Sequence, residues 1–312
     1  MKEKREPEVP PVVQVKNVSK WFGSIVAVSE VSFNLQPGIT GLLGPNGAGK
    51  TSLIRMIAGL AKTSEGEITV FGKNLRSELN LYRKIGVMTD QGRTYEFMNA
   101  QKFIECSARL KKVKNAPTAT KHALQLVNLE NAATRPIRTY SRGMKQRVQL
   151  AATLVHEPEL LILDEPLNGA DPKQRFEFQK LLLELADKGH TILISSHVLE
   201  EVESLASRVL LVAKGKLAAE GDIRSIRGLL DERPYQVQIT CNQPRILGER
   251  LIGLDSISSV QIDRESLIVL SSNFKALQEL LPQSAAETGV RLTRVEPLDD
   301  SLESVFNYLV ES

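Results

Sequence analysis

Gly44-Pro45-Asn46-Gly47-Ala48-Gly49-Lys50-Thr51 decides how the rest of this 312-residue chain is read. The octapeptide fits G-x-x-x-x-G-K-[ST], a loop that wraps phosphate groups. The apolar run Ile39–Leu43 before it reads as a buried strand, and Leu53, Ile54, Ile57 and Leu60 after it have helical spacing. Strand, glycine loop and helix are the context the chemistry needs. Glycines let the backbone close around an anion, successive amide N–H groups point inward, and the helix start adds the positive end of its dipole. Lys50 can then reach the β- and γ-phosphates, and the Thr51 hydroxyl can hold Mg²⁺.

Further along, Leu160-Leu161-Ile162-Leu163 is a strand-length apolar run that ends in Asp164-Glu165. In open α/β sheets ligands bind at the C-terminal ends of the strands. Asp164 therefore fits a Mg²⁺-side carboxylate and Glu165 a general base for an attacking water. Between the two motifs lies Tyr140-Ser141-Arg142-Gly143-Met144. Ser141 reads as a helix N-cap, and a helix start bearing serine and glycine can also receive a phosphate. Strands are expected at Val12–Val18, Ala27–Leu35 and Thr191–Ser195. Helices are expected at Tyr95–Leu110, Thr118–Leu129, Arg142–Val155 and Gln174–Lys188. Strands alternating with helices imply a mostly parallel sheet covered on both faces.

Hydrophobic residues are 42% of the chain and charged residues 25%, which excludes a disordered chain or a disulfide scaffold. No stretch approaches the roughly 18 apolar residues of a membrane span. The N-terminal residues 1–11 are charged and proline-rich, and are read as a flexible tail rather than a secretory signal. Cys106 and Cys241 form no CxxC pair, and His122, His156 and His190 show no metal-ligand spacing. Residues 231–312 carry 7 basic and 13 acidic side chains of the chain's 40 and 37, leaving 33 and 24 for residues 1–230. That change of sign suggests two units, residues 12–230 and residues 231–312. The second reads strand, helix, strand, strand, helix, strand from Tyr235 to Val295, the order of a small α+β ferredoxin-like domain. A closing helix is expected at 300–310.

The motif set resembles the ATP-binding subunit of an ABC transporter. Gly44–Thr51 corresponds to that family's Walker A, Leu160–Glu165 to Walker B, and Tyr140–Met144 to the signature segment. Asn168-Gly169-Ala170-Asp171 resembles the D-loop, His197 the switch histidine and Gln91 the Q-loop glutamine, all in the family's order. The resemblance implies a P-loop nucleotide-binding domain with a parallel core, an N-terminal antiparallel β part and a helical subdomain. It implies ATP and Mg²⁺ as cofactors, with Gly44 through Ser52, Ser141, Gly143 and Asp171 on the nucleotide, and Phe22 as the adenine shelf, where Trp21 competes for the role. Thr51, Gln91 and Asp164 would serve the metal, and Glu165, Gln91 and His197 the hydrolysis.

The signature departs from the family pattern at Arg142 and Met144, while Ser141 and Gly143 are kept. Arg142 either points away or adds a charge near a partner's nucleotide. The acidic–apolar segment Leu302–Phe306 resembles tails of the type-2 exporter branch; read plainly, it is an amphipathic helix. The expected role is ATP hydrolysis powering export at the cytoplasmic face of a membrane, through an integral permease subunit. Two ATP-binding subunits would pack head to tail, as a homodimer or a heterodimer. No nucleic acid is expected. A soluble ATPase of this type acting on a ribosome or DNA is the competing reading. Such proteins carry two cassettes or an inserted coiled coil, and neither pattern is present.

Overall fold

The computed structural model describes residues 10–89, 94–222 and 235–298. The chain divides into two compact units, Met1–Ile223 and Arg224–Ser312.

The first unit begins with β1 (Val13–Phe22) and β2 (Ile25–Leu35), an antiparallel pair that β4 (Glu65–Val70) extends on the far side of β1. The main sheet has six strands: β5 (Ile85–Met88), β6 (Leu160–Asp164), β7 (Thr191–Ser196), β3 (Gly38–Leu43), β8 (Arg208–Ala213) and β9 (Lys216–Gly221), in that spatial order. All neighbours are parallel except β8 and β9. Every residue of β6 and β7 is buried. This is why both carry a continuous apolar run, Leu160–Leu163 and Ile192–Ile194, rather than an alternating pattern.

Register sets the site. Leu43 pairs with Ser196 and Asp164 with Ser195, so β3, β6 and β7 end side by side. The loops leaving these ends carry the phosphate motif, Glu165 and His197. Helix α1 (Lys50–Ile57) follows the first loop, and its Leu53, Ile54 and Ile57 are fully buried.

A helical block, α2 (Ala100–Leu110), α3 (Ala116–Leu126) and α4 (Arg142–Leu154), intervenes between β5 and β6. The first of these starts five residues later than the expected Tyr95. Asn99 caps it by accepting from the Lys102 N–H at 2.8 Å. Residues before the cap pair elsewhere: Arg138 N–H donates to Glu96 O and Ile137 N–H to Met98 O. Helices α5 (Pro172–Asp187) and α6 (Leu199–Glu203) complete the unit.

The second unit has β10 (Tyr235–Cys241), α7 (Pro244–Leu251), β11 (Ile257–Ile262), β12 (Ser266–Ser271), α8 (Phe274–Thr288) and β13 (Leu292–Pro297). Its sheet order is β11-β12-β10-β13, antiparallel throughout. This is the ferredoxin-like arrangement the element order implied. Val237, Ile239, Leu267 and Val269 pack against Leu247, Leu251, Leu277 and Leu281 of the two helices. Both cysteines are free thiols. The expected closing helix and the Leu302–Phe306 segment lie outside the described residues.

His156, just after α4, ties the helical block to the core. Its Nε2 lies 3.1 Å from Ile85 O, so the ring is the neutral Nε2–H tautomer. Nδ1 is buried with no hydrogen-bond partner among the described residues. Burial, and then the Lys111 ammonium, push the imidazole pKa from 6.5 down to about 4. Between those values the unfolded chain takes up a proton that the native one refuses. The histidine's contribution to stability is therefore complete above the unfolded value and declines as pH falls towards about 4. The unfolding midpoint of the wild type should fall between pH 7 and pH 5. In His156→Gln, which keeps a donor for Ile85 O, the fall should be smaller. Equal slopes in a thermal melt series would refute the assignment.

Candidate active site

Lys50 is the first residue of α1, and the glycine before it makes the loop possible. Gly49 has φ +103, a left-handed conformation, and a β-carbon there would sit 2.4 Å from Ala27 O. The loop can thus lie directly on the β2 backbone. Lys50 is only 6% exposed. Its ammonium has three oxygen partners: Gly44 O at 2.5 Å, Pro45 O at 3.2 Å and Glu165 Oε1 at 3.2 Å. The charge is held inside a cavity of about 550 Å³ lined by Ile25–Ala27, the loop from Pro45 through Ser52, Glu165, Asn168 and His197. Gly44 lies under this loop as an acceptor for Lys50.

Asp164 and Glu165 are adjacent but built differently. Asp164 is 1% exposed. Its Oδ1 accepts from Ser195 Oγ at 2.7 Å, and that hydroxyl in turn accepts from the Glu165 N–H at 2.9 Å. Glu165 has φ +48, a conformation that costs a non-glycine residue on the order of 1 kcal/mol. It is fixed from both sides, because Asn168 N–H donates to its carbonyl at 3.2 Å. Its carboxylate uses both oxygens. Oε1 faces Lys50, and Oε2 lies 2.8 Å from His197 Nδ1. A carboxylate at a strand end, between an ammonium and an imidazole and open to a cavity, is equipped to orient and deprotonate a water.

Ser141 and Gly143 lie at the start of α4 and are not among the residues lining this cavity. Ser141 caps the helix, its Oγ accepting from Met144 N–H at 3.3 Å. Such a hydroxyl still has its proton to donate outward. Gly143 is buried against Gln174, whose amide oxygen would lie 1.8 Å from an added β-carbon. The Arg142 guanidinium packs on Gly169: a β-carbon at Gly169 would sit 2.4 Å from Arg142 Cζ. Gln146 Nε2 donates to Asn168 O at 2.8 Å. The start of α4 and the loop after Glu165 are thus packed together in one subunit. The side chain of Asp171 caps α5, accepting from Gln174 N–H at 2.9 Å.

Phe22 ends β1, is 54% exposed and carries the Lys20 ammonium 4.9 Å from its ring centroid. It faces Ile25 across the hairpin, and Ile25 and Val26 are the large apolar residues among those that line the cavity. Trp21 is 40% exposed and also lies outside the lining. Gln91 lies outside the described residues. Sequence reasoning missed Ile25, Val26 and Ser195, and placed Asn168 only in the D-loop segment. A signal exists for the first two, since consecutive apolar residues directly after a Gly-Ser turn are hard to bury on a two-stranded hairpin.

Residues 28–168 match the family model described as ABC transporter. The chain is 31% identical over 303 residues to the bacitracin transport ATP-binding protein BcrA of Bacillus licheniformis, covering 96% of this chain and 97% of that protein. It is 33% identical over 303 residues to the Nod factor export ATP-binding protein I of Sinorhizobium fredii, covering 94% of this chain and 84% of that protein. A solved ATP-binding subunit of an ABC transporter superposes with a TM-score of 0.65 at 26% identity, covering 70% of this chain and 93% of that one.

The geometry separates holding from chemistry. Lys50→Ala removes the cavity's ammonium and should abolish the ATP-dependent rise in melting temperature. Glu165→Gln should keep that rise and lower ATP turnover by about 10²- to 10⁴-fold. Near-wild-type turnover in Glu165→Gln would exclude it as the base.

Proposed function

This chain belongs to the ATP-binding proteins of the ABC transporter family, and we propose that it hydrolyses ATP to power export through a separate membrane permease. It binds ATP, and proteins of this family are ATPases. The observation that carries the proposal is the 2.8 Å contact of His197 with a Glu165 that also faces Lys50 inside the phosphate-loop cavity. In this reading the amides of the Gly47–Thr51 loop and the Lys50 ammonium bind the phosphates. Glu165 takes the proton from the attacking water, and His197 holds the carboxylate in place. Thr51 and Asp164 offer hard oxygen donors, the chemistry Mg²⁺ prefers. The ion, when bound, would neutralise phosphate charge.

The site is incomplete in one subunit. Ser141 and Gly143 are not among the residues lining the cavity that holds Lys50, so in this reading a second subunit packed head to tail would supply them. Each nucleotide would lie between Lys50 and Thr51 of one subunit and Ser141 and Gly143 of its partner. A homodimer with two such sites needs no other chain, since both halves are present here.

For the permease, the first unit offers an apolar groove of about 400 Å³ between Tyr82, Met88, Thr89 and the faces of α2 and α4. Leu60 and Leu110 stand on its rim at 61% and 78% exposure, too exposed to serve the core. Thr89, on the lining of the groove, directly precedes residues 90–93 in sequence, which include Gln91. No helix among the described residues is long and apolar enough to cross a membrane. In this reading the chain sits peripherally on the cytoplasmic face, held by a short helix of the permease in that groove. The competing reading, a soluble ATPase acting on a ribosome or DNA, is not favoured by relatives named for transport and export.

Two experiments test these proposals. Ser141→Arg and Lys50→Ala are each expected to be inactive alone. Their mixture should recover part of the turnover, because a mixed dimer contains one site with all its own residues. No recovery, with mixed dimers shown to form, would refute the head-to-tail arrangement. Leu110→Glu should lose the chain from the membrane fraction when the permease is coexpressed, without changing the turnover of the purified chain. Retention at wild-type level would exclude the groove as the docking site.

A further inference from the structure

Glu201, in α6, is a carboxylate only 8% exposed and lies outside the cavity. A buried carboxylate persists where both oxygens are paired. Here Oε1 lies 3.0 Å from Arg175 Nη1, and Oε2 accepts from Ser196 Oγ at 2.7 Å. The Ser196 hydroxyl also accepts from Val198 N–H at 3.0 Å. The residues on either side of His197 are therefore both tied, through one hydroxyl, to Glu201.

Arg175 has a second partner. Its Nε donates to Ala170 O at 3.1 Å, in the loop that leaves Glu165. Within that loop Ala170 N–H donates to Leu167 O and Asn168 N–H to Glu165 O. The contacts close on themselves: from Glu165 along its loop to Ala170, through Arg175 and Glu201 to Ser196, on to His197, and back to Glu165 at 2.8 Å. Arg175, Glu201 and Ser196 do not line the cavity that holds Lys50.

We infer that Arg175 and Glu201 are positioning residues for hydrolysis, holding His197 and the loop after Glu165 as one unit. The inference rests on the reading of Glu165 and His197 as the hydrolytic pair. Arginine suits the task because its planar fork offers donors to two acceptors at fixed angles. Lysine presents a single point-like ammonium without that planar fork. With either member removed, the His197 turn and the Glu165 loop are free to drift apart while the phosphate loop is untouched. A displacement near 1 Å at reacting groups is enough to cost about two orders of magnitude in rate.

The test is steady-state ATP hydrolysis by the full chain. In Arg175→Ala and Glu201→Gln, turnover at saturating ATP should fall about 10- to 100-fold. KM should stay within about threefold, and the ATP-dependent rise in melting temperature should remain. Arg175→Lys should resemble Arg175→Ala more than wild type. The double variant should be no worse than either single one, because both cut the same connection. Turnover within about twofold of wild type despite a lowered melting temperature would overturn the inference and leave a purely structural ion pair. So would a KM that rises in step with the lost turnover, or losses that multiply in the double variant. If Glu201→Gln does not fold, Ser196→Ala opens the same connection at a hydroxyl and should also lower turnover. Glu165→Gln run in parallel separates the two readings. If it retains turnover, the site assignment fails and takes the inference with it. If it is inactive while the Arg175 and Glu201 variants are normal, the inference alone fails.

Discussion

The site depends on the in-register parallel pairing of β3, β6 and β7. Backbone hydrogen bonds fix Leu43 beside Ser196 and Asp164 beside Ser195, so three loops distant in sequence start from one edge. A slip of one residue along β6 would turn Asp164 to the opposite face and break its bond to Ser195. The slip is resisted because every residue of β6 and β7 is buried. Register is paid for in apolar packing, away from the chemistry it positions.

On that frame the charges are few and each is answered. Lys50 would be an expensive buried ammonium without Gly44 O, Pro45 O and Glu165. Glu165 is aimed by an unfavourable φ of +48, and the hydrogen bonds at its N–H and C=O hold the backbone there. Strain of this kind persists where the surroundings over-determine it. Asp164 is instead drawn down to Ser195 and sits lower at the same strand end. Two neighbouring acids are thus given different surroundings.

Much of this was legible in the sequence, for identifiable reasons. The Gly44–Thr51 loop is visible because its conformation demands glycines at fixed places. Strands β6 and β7 are visible because burial on both faces leaves an apolar run in each, Leu160–Leu163 and Ile192–Ile194. Four strands escaped the reading. β5 spans four residues and contains Gly86; β9, Lys216–Gly221, is rich in alanine; β4 opens with Glu65, Gly66 and Glu67. β8, Arg208–Ala213, is apolar enough, but such a run does not announce its own partners. The start of α2 was misplaced because Tyr95–Met98 continue its apolar pattern, and only tertiary pairing with residues 137 and 138 withdraws them from the helix. The role of Arg142 had two readings from sequence. The structure lays it on Gly169, a contact between segments 27 residues apart that no local pattern encodes.

The two units show why chemistry gathers in one of them. In the parallel sheet, neighbouring strands end at the same edge, so their loops meet and a cavity forms where they do. In the second unit each strand runs opposite to its neighbour. Successive loops leave from opposite edges, and one face of the sheet is covered by α7 and α8. Burial alternates along β10 and β12, so their outward positions face away from the shared core. Among the described residues there is no cluster of three acids, histidines or cysteines suited to a metal. The excess of acidic residues in 231–312 fits a solvated or partner-facing surface, and the nucleotide chemistry stays where parallel strands bring their ends together.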